Sequence, residues 1–286
     1  MENQKRGQKK ISLVTGASSG LGKFIAEKLC EKNHIVYITA RREKRLQELK
    51  KHCAHLKGEM IVISGDLSDP RFRTKLISQI ITKEGRIDYL INNAGFGKAA
   101  IFEKEDPEEI ENMFKVNIIA YKHLTRLVLP HMQKQKSGRL IHVGSVVAFT
   151  PLPYFTSYNA TKAAVYMFNR SLRYELLGPI TSTVVLPARM HTGFAMNAFD
   201  CNIKKNRNLC AKEFNDAAGS AKKVANNIVR KIDSGKKVIL PTFKSRLWYF
   251  MRHAEWIVDL VMKHSLGPKQ LKHIKKDMEM KAKTKR

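Results

Sequence analysis

Short apolar runs and longer amphipathic stretches alternate along the chain. The runs ISLVT (11–15), IVYIT (35–39), MIVIS (60–64), DYLIN (88–92), RLIHVG (139–144), TSTVVLP (181–187) and KVIL (237–240) have strand length and many β-branched residues, whereas segments near 21–32, 42–56, 70–84, 107–135, 155–178 and 221–233 have helical periodicity. This alternation predicts one α/β domain over residues 11–242, a doubly wound, seven-stranded parallel sheet with helices on both faces. Crossovers are then right-handed and ligands gather at the carboxyl ends of the strands. Beyond residue 242 the pattern changes to an aromatic amphipathic helix over 243–264 and a lysine-rich end, a C-terminal extension (243–286) without a strand.

Composition narrows the function. Apolar residues make up 43% of 286 residues, a globular proportion, and 53 Lys and Arg against 25 acidic residues give a formal charge of +28. That imbalance favours anionic partners: phosphorylated cofactors, acidic lipid or nucleic acid. No nucleic-acid recognition motif accompanies it, so no specific nucleic-acid partner is expected. Cys30, Cys53, Cys201 and Cys210 lack paired spacing and read as free thiols of a reducing compartment. HCAH at 52–55 closes a solvated helix and finds no second ligand cluster, so no metal is expected. The basic arm 1–10 has no apolar region long enough for a signal peptide, and no run reaches the roughly 18 apolar residues of a membrane span, so a cytoplasmic location is expected.

TGASSGLG follows the first strand and opens the first helix, placing Gly16, Ser18, Ser19, Gly20, Leu21 and Gly22 where a pyrophosphate meets a helix N-terminus. This is the turn of a Rossmann-like domain. The second strand ends in ITARRE, and Arg41 and Arg42 stand where an NAD-preferring fold carries an acid for the ribose hydroxyls, which favours NADPH/NADP+ over NAD. In GDLSDP, Asp69 and Pro70 supply the next helix start, which frees Asp66 for the adenine. In SYNATKAAV, Tyr158 and Lys162 lie one helical turn apart, so the ammonium is expected to lower the phenol pKa and make Tyr158 an acid or base.

Together TGASSGLG, GDL, NNAG (92–95), Asn117 in KVN, Ser145 in HVGS and YNATK (158–162) resemble the classical short-chain dehydrogenase/reductase family over residues 10–240. The resemblance implies an NADPH-dependent carbonyl reductase or alcohol dehydrogenase. In it, Asp66 and Leu67 border the adenine; Asn93, Ala94 and Gly95 close the cofactor cleft; Pro187 and Thr192 lie at the nicotinamide. Ser145 polarises the substrate oxygen, Tyr158 exchanges the proton, Lys162 grips the nicotinamide ribose and lowers the tyrosine pKa, and Asn117 holds a water of the proton relay. Reduction of a carbonyl needs such a set, because hydride goes to carbon and a proton to oxygen. LPARMHT departs from the family pattern, with Ala188 where glycine is usual. A binding-only regulator on the same fold is the alternative.

The loops 95–102, 146–155 and 188–220 are expected to wall a pocket for a small lipophilic substrate, with Phe96, Phe149, Tyr154, Met190 and Phe194 in its lining. A 3-oxoacyl, oxosphingoid or steroid-like compound fits. In the extension, Phe243, Leu247, Phe250, Met251, Ala254, Ile257, Val258 and Val261 form one stripe flanked by Trp248, Tyr249 and Trp256. Such a stripe docks on its own domain, on another subunit of a homodimer or homotetramer, or on an anionic membrane surface, where the protein would be peripheral.

Overall fold

In the computed structural model, residues 9–176, 178–191, 194, 198, 219–254 and 256–260 are described. The strands are β1 (Ile11–Thr15), β2 (Ile35–Thr39), β3 (Glu59–Val62), β4 (Tyr89–Asn92), β5 (Gly138–Val143), β6 (Ile180–Val185), β7 (Met190–His191), β8 (Gly219–Ser220) and β9 (Val238–Ile239). Seven of them form a parallel sheet in the order β3-β2-β1-β4-β5-β6-β9, and β7 pairs with β8 beside it. The doubly wound sheet anticipated from the alternation is therefore present. The strand order reverses about β1, which opens a crevice between the ends of β1 and β4.

Eight α-helices accompany the sheet among the described residues: α1 (Gly20–Glu31), α2 (Glu43–His52), α3 (Pro70–Glu84), α4 (Pro107–Phe114), α5 (Ala120–Gln135), α6 (Thr156–Glu175), α7 (Ala221–Lys231) and α8 (Phe243–Met251). β1 is buried along its whole length and sends successive side chains to opposite faces. Val14 joins Ile25, Leu29, Leu46 and Ile228 under α1, α2 and α7. Leu13 joins Leu76, Ile80, Leu124 and Leu172 under α3, α5 and α6. The Asp-Pro pairs start two helices: Asp69 accepts from the Arg71 amide and Asp106 from that of Glu108. Asp88, buried at the opposite end of the sheet, accepts from the Ile11 amide at 2.8 Å and pairs with Arg86 and Lys10. That ties the starts of β1 and β4.

Two elements depart from the sequence expectation. The segment 107–135 is not one regular helix, because a π-helical turn at Lys115–Ile119 separates α4 from α5 and carries Asn117. The C-terminal helix stops at Met251, where Arg252 lies 3.8 Å from the centre of the Tyr249 ring and donates to the Tyr249 carbonyl, and a second helical stretch covers 256–260. The apolar stripe is consequently divided. Val258 is buried, whereas Phe243, Leu247 and Phe250 face outward and the inner side of α8 carries Ser245.

His142 on β5 is wholly buried, within 3.1 Å of the Asn92 amide nitrogen, and burial pushes its pKa down to about 3. The folded chain keeps this imidazole neutral while the unfolded chain protonates it below about 6.5, so its stabilisation is lost as pH falls from there toward the folded value, at about 1.4 kcal/mol per pH unit. His142→Gln is expected to flatten the acid limb of a plot of urea-unfolding free energy against pH. Equal slopes in the two proteins would remove His142 as the cause.

Candidate active site

A cleft of about 660 Å³ runs along the carboxyl edge of the sheet. Its wall at one end is the turn between β1 and α1. Gly16 has φ +68° and Gly20 φ +57°, and a Cβ on Gly16 would meet the Ala94 Cα at 2.7 Å. One on Gly22 would meet the Asn93 amide nitrogen at 2.4 Å and the Gly16 carbonyl at 2.6 Å. Here the chain needs glycine for close approach as well as for backbone angle. Thr15, which the sequence reading passed over, holds the two segments together: its hydroxyl accepts from the amides of Asn93 at 2.9 Å and Ala94 at 3.0 Å. The Asn93 side chain returns a bond to the Thr15 carbonyl at 2.8 Å. The signal was the first letter of TGASSGLG.

Ser19 is the N-cap of α1, yet its side chain makes no capping bond. The hydroxyls of Ser18 and Ser19 instead accept from Arg42 at 2.9 and 2.8 Å. The amides at the helix start are left for an anion. Burial lowers the Arg42 pKa, and the charges of Arg45 and Arg41 lower it further. Three guanidinium groups thus crowd the end of β2, where an anionic group relieves their repulsion. Asp66 and Leu67 line the cleft nearby, and Asp66 also accepts from the Ser68 amide at 2.9 Å. Arg73, buried inside α3, shapes this loop by donating to the Leu67 carbonyl at 2.6 Å and to His123 at 3.0 Å. Helical periodicity gave no hint of it.

The far end of the cleft gathers Ser145, Tyr158, Lys162, Gly95, Phe96 and Pro187. Ser145 begins a short helical turn and its hydroxyl accepts from Val147 at 3.3 Å. The Lys162 ammonium is buried, donates to the Val143 carbonyl at 3.0 Å, and lies 5.7 Å from the Tyr158 ring centre and 5.8 Å from that of Tyr121. The expected lowering of the Tyr158 pKa by this ammonium is not what the surroundings produce. Although the ring is partly open to the cleft, protein packed around the phenol pushes its pKa up, and a hydrogen bond with Ser145 pulls only part of the way back. Burial also pushes Lys162 down to about 8.

Asn117 adjoins this end, off the cleft wall. Its side chain accepts from the Phe96 amide at 3.0 Å and donates to the Phe96 carbonyl at 2.8 Å and the Thr161 hydroxyl at 3.1 Å. The asparagine thereby fixes the loop after β4 against α6. Met190 and Phe194 line the cleft, with Phe194 5.1 Å from the Tyr158 ring, and Gly97 fits between them where a Cβ would lie 2.8 Å from Phe194. Phe149 lies away from the wall, its ring edge-on to Tyr166 at 4.5 Å and to Tyr249 at 5.8 Å. Tyr154 is also off the wall, in a turn at φ +65° with its carbonyl bonded to the Ala100 amide. Val146, Val147, Leu152 and Phe155 supply apolar wall instead. Thr192 lies outside the described residues, as do Cys201 and Cys210.

A family model described as short chain dehydrogenase matches residues 10–202. The chain belongs to the short-chain dehydrogenase/reductase family. This short-chain dehydrogenase is 32% identical over 211 residues to 11-beta-hydroxysteroid dehydrogenase-like 2 of Arabidopsis thaliana, covering 71% of this chain and 68% of that one. It is 33% identical over 191 residues to 3-ketodihydrosphingosine reductase of Bacteroides thetaiotaomicron, covering 66% and 67%. Across several steroid-dehydrogenase-like relatives it spans between 54% and 68% of their length. Among solved structures, a dehydrogenase from Sphingobium yanoikuyae in complex with NADPH superposes with a TM-score of 0.74 at 26% identity, over 86% of this chain and 94% of that one. One from Burkholderia phymatum in complex with NAD has a TM-score of 0.79 at 21% identity, over 90% and 97%, and shows the fold alone.

The glycine cradle, the uncapped helix start and the arginine cluster fit the phosphates of a dinucleotide. Gly22→Ala forces a methyl against Asn93 and the Gly16 carbonyl, an overpacking of about 1–3 kcal/mol, and is expected to weaken nicotinamide dinucleotide binding at least about tenfold. Fluorescence titration measures it, with thermal melting to show that the variant is folded; unchanged affinity would show that the turn does not hold the phosphates.

Proposed function

We propose that the chain is an NADP(H)-dependent carbonyl reductase, reversible as an alcohol dehydrogenase, for a lipophilic ketone or secondary alcohol. The observation that carries this reading is one cleft holding the glycine turn and arginines at one end and Ser145, Tyr158 and Lys162 at the other. NADPH, when bound, supplies the hydride. Arg42 and Arg41, with the serine hydroxyls, hold the 2′-phosphate; Asp66 and Leu67 border the adenine; Asn93, Ala94, Gly95 and Pro187 adjoin the nicotinamide half, to which the family resemblance also assigns Thr192.

Ser145 holds the substrate oxygen and Tyr158 donates the proton to it. The raised phenol pKa suits this direction, because it keeps the proton on Tyr158 until charge develops on the substrate oxygen. Lys162 orients the ribose and steadies the phenolate left behind, and Asn117 holds a water of the proton relay while its side chain fixes Phe96. The apolar wall near Tyr158 favours a substrate of the 3-oxoacyl, oxosphingoid or steroid-like classes, a range to which the sphingosine reductase and steroid dehydrogenase relatives lend support.

Tyr158→Phe is expected to lower turnover of a hydrophobic ketone panel at least about a hundredfold with NADPH affinity nearly kept. Near-normal turnover would refute Tyr158 as the acid; coenzyme binding without turnover of any ketone or alcohol by the unmodified protein would favour the regulator reading. Arg42→Ala, which removes a charged hydrogen-bond partner of the phosphate, is expected to weaken NADPH binding at least about tenfold and leave NADH binding nearly unchanged. Equal losses for both coenzymes would refute that role.

A further inference from the structure

Several of the exposed large apolar side chains among the described residues fall in the C-terminal segment. Phe243 is 77% exposed, Leu247 47%, Phe250 79% and Trp256 70%. The first three lie at i, i+4 and i+7, one stripe of α8. The same helix is fastened by its inner side: Ser245, wholly buried, accepts from the Ala188 amide at 3.1 Å, and Tyr249 packs edge-on against Phe149. One contact is to the cleft-lining Ala188 and the other to the loop after β5, so the stripe cannot turn inward without breaking them.

We propose that this face docks on an anionic lipid bilayer, with the aromatic side chains at headgroup depth. The charge of the C-terminal sequence selects this occupant. Residues 243–286 hold twelve Lys or Arg, among them Lys244, Arg246 and Arg252, against four acids, Glu255, Asp259, Asp277 and Glu279. A second copy of the chain paired through the same face would bring those cations together, whereas an acidic headgroup layer is complementary to them. No helix among the described residues is long and apolar enough to cross a membrane; the contact proposed is that of an amphipathic helix lying in the plane of the surface. The docking does not depend on the catalytic reading: it would stand if the cleft only bound coenzyme.

The test uses the full chain and sedimentation with vesicles of phosphatidylcholine, alone or mixed with phosphatidylglycerol, at low and high salt. The unmodified protein is expected to bind the mixed vesicles at low salt and to be released by salt. The triple variant Phe243→Ser, Leu247→Ser, Phe250→Ser is expected to bind them at least about tenfold more weakly, from the apolar area it no longer buries, with unchanged NADPH affinity as proof of folding. In a Trp248→Phe background Trp256 is the sole tryptophan, and its emission is expected to shift to the blue on the mixed vesicles. Absence of binding at low salt overturns the proposal. So does binding unaltered by the triple variant, which would assign attraction to charge alone, or a loss of self-association in that variant without change in vesicle binding, which would assign the face to a second copy.

Discussion

The Thr15 hydroxyl receives the amides of both Asn93 and Ala94, and the remainder of the cleft is arranged around that junction. It brings the end of β1 so close to the end of β4 that only glycine fits at 16 and 22. The helix start beyond this turn must then aim its free amides along the crevice, and the loop after β4 must leave toward α6, where Asn117 takes hold of Phe96. A dinucleotide site and a reaction site become two ends of one gap because a single side chain joins neighbouring parallel strands.

At the reaction end, burial outweighs charge. The one-turn spacing of Tyr158 and Lys162 suggests mutual stabilisation of phenolate and ammonium. Yet both groups lie where desolvation disfavours ionisation, and each shifts toward its neutral form. The resting state of Tyr158 is consequently a protonated phenol rather than a phenolate. Ser145 is the one neighbour that moves the phenol the other way.

Much of this was legible in the sequence because it depends on local pattern. The apolar runs placed the main strands to within a few residues, and the Asp69–Pro70 pair placed the start of α3. The glycine turn, both arginines, Ser145, Tyr158 and Lys162 all fall on one cleft. What stayed hidden depends on contacts between distant segments. Periodicity cannot reveal that Arg73 points inward to a carbonyl, that a π turn interrupts 107–135, or that Phe149 turns toward Tyr249. The C-terminal stripe reads as one helix over 243–264, whereas α8 ends at Met251, its apolar side chains face outward and its inner side carries the buried Ser245. A hydropathy pattern has no means of signalling a buried hydroxyl that serves a loop.

The Ser245 bond to Ala188 spans 57 positions of sequence. During synthesis the chain leaves the ribosome from its N-terminus, so the junction of Thr15 with Asn93 and Ala94 can assemble early, while the loop bearing Ala188 waits for α8. A chain that ended before Ser245 would keep every residue of the Thr15 junction and lose the hydroxyl that holds the Ala188 amide.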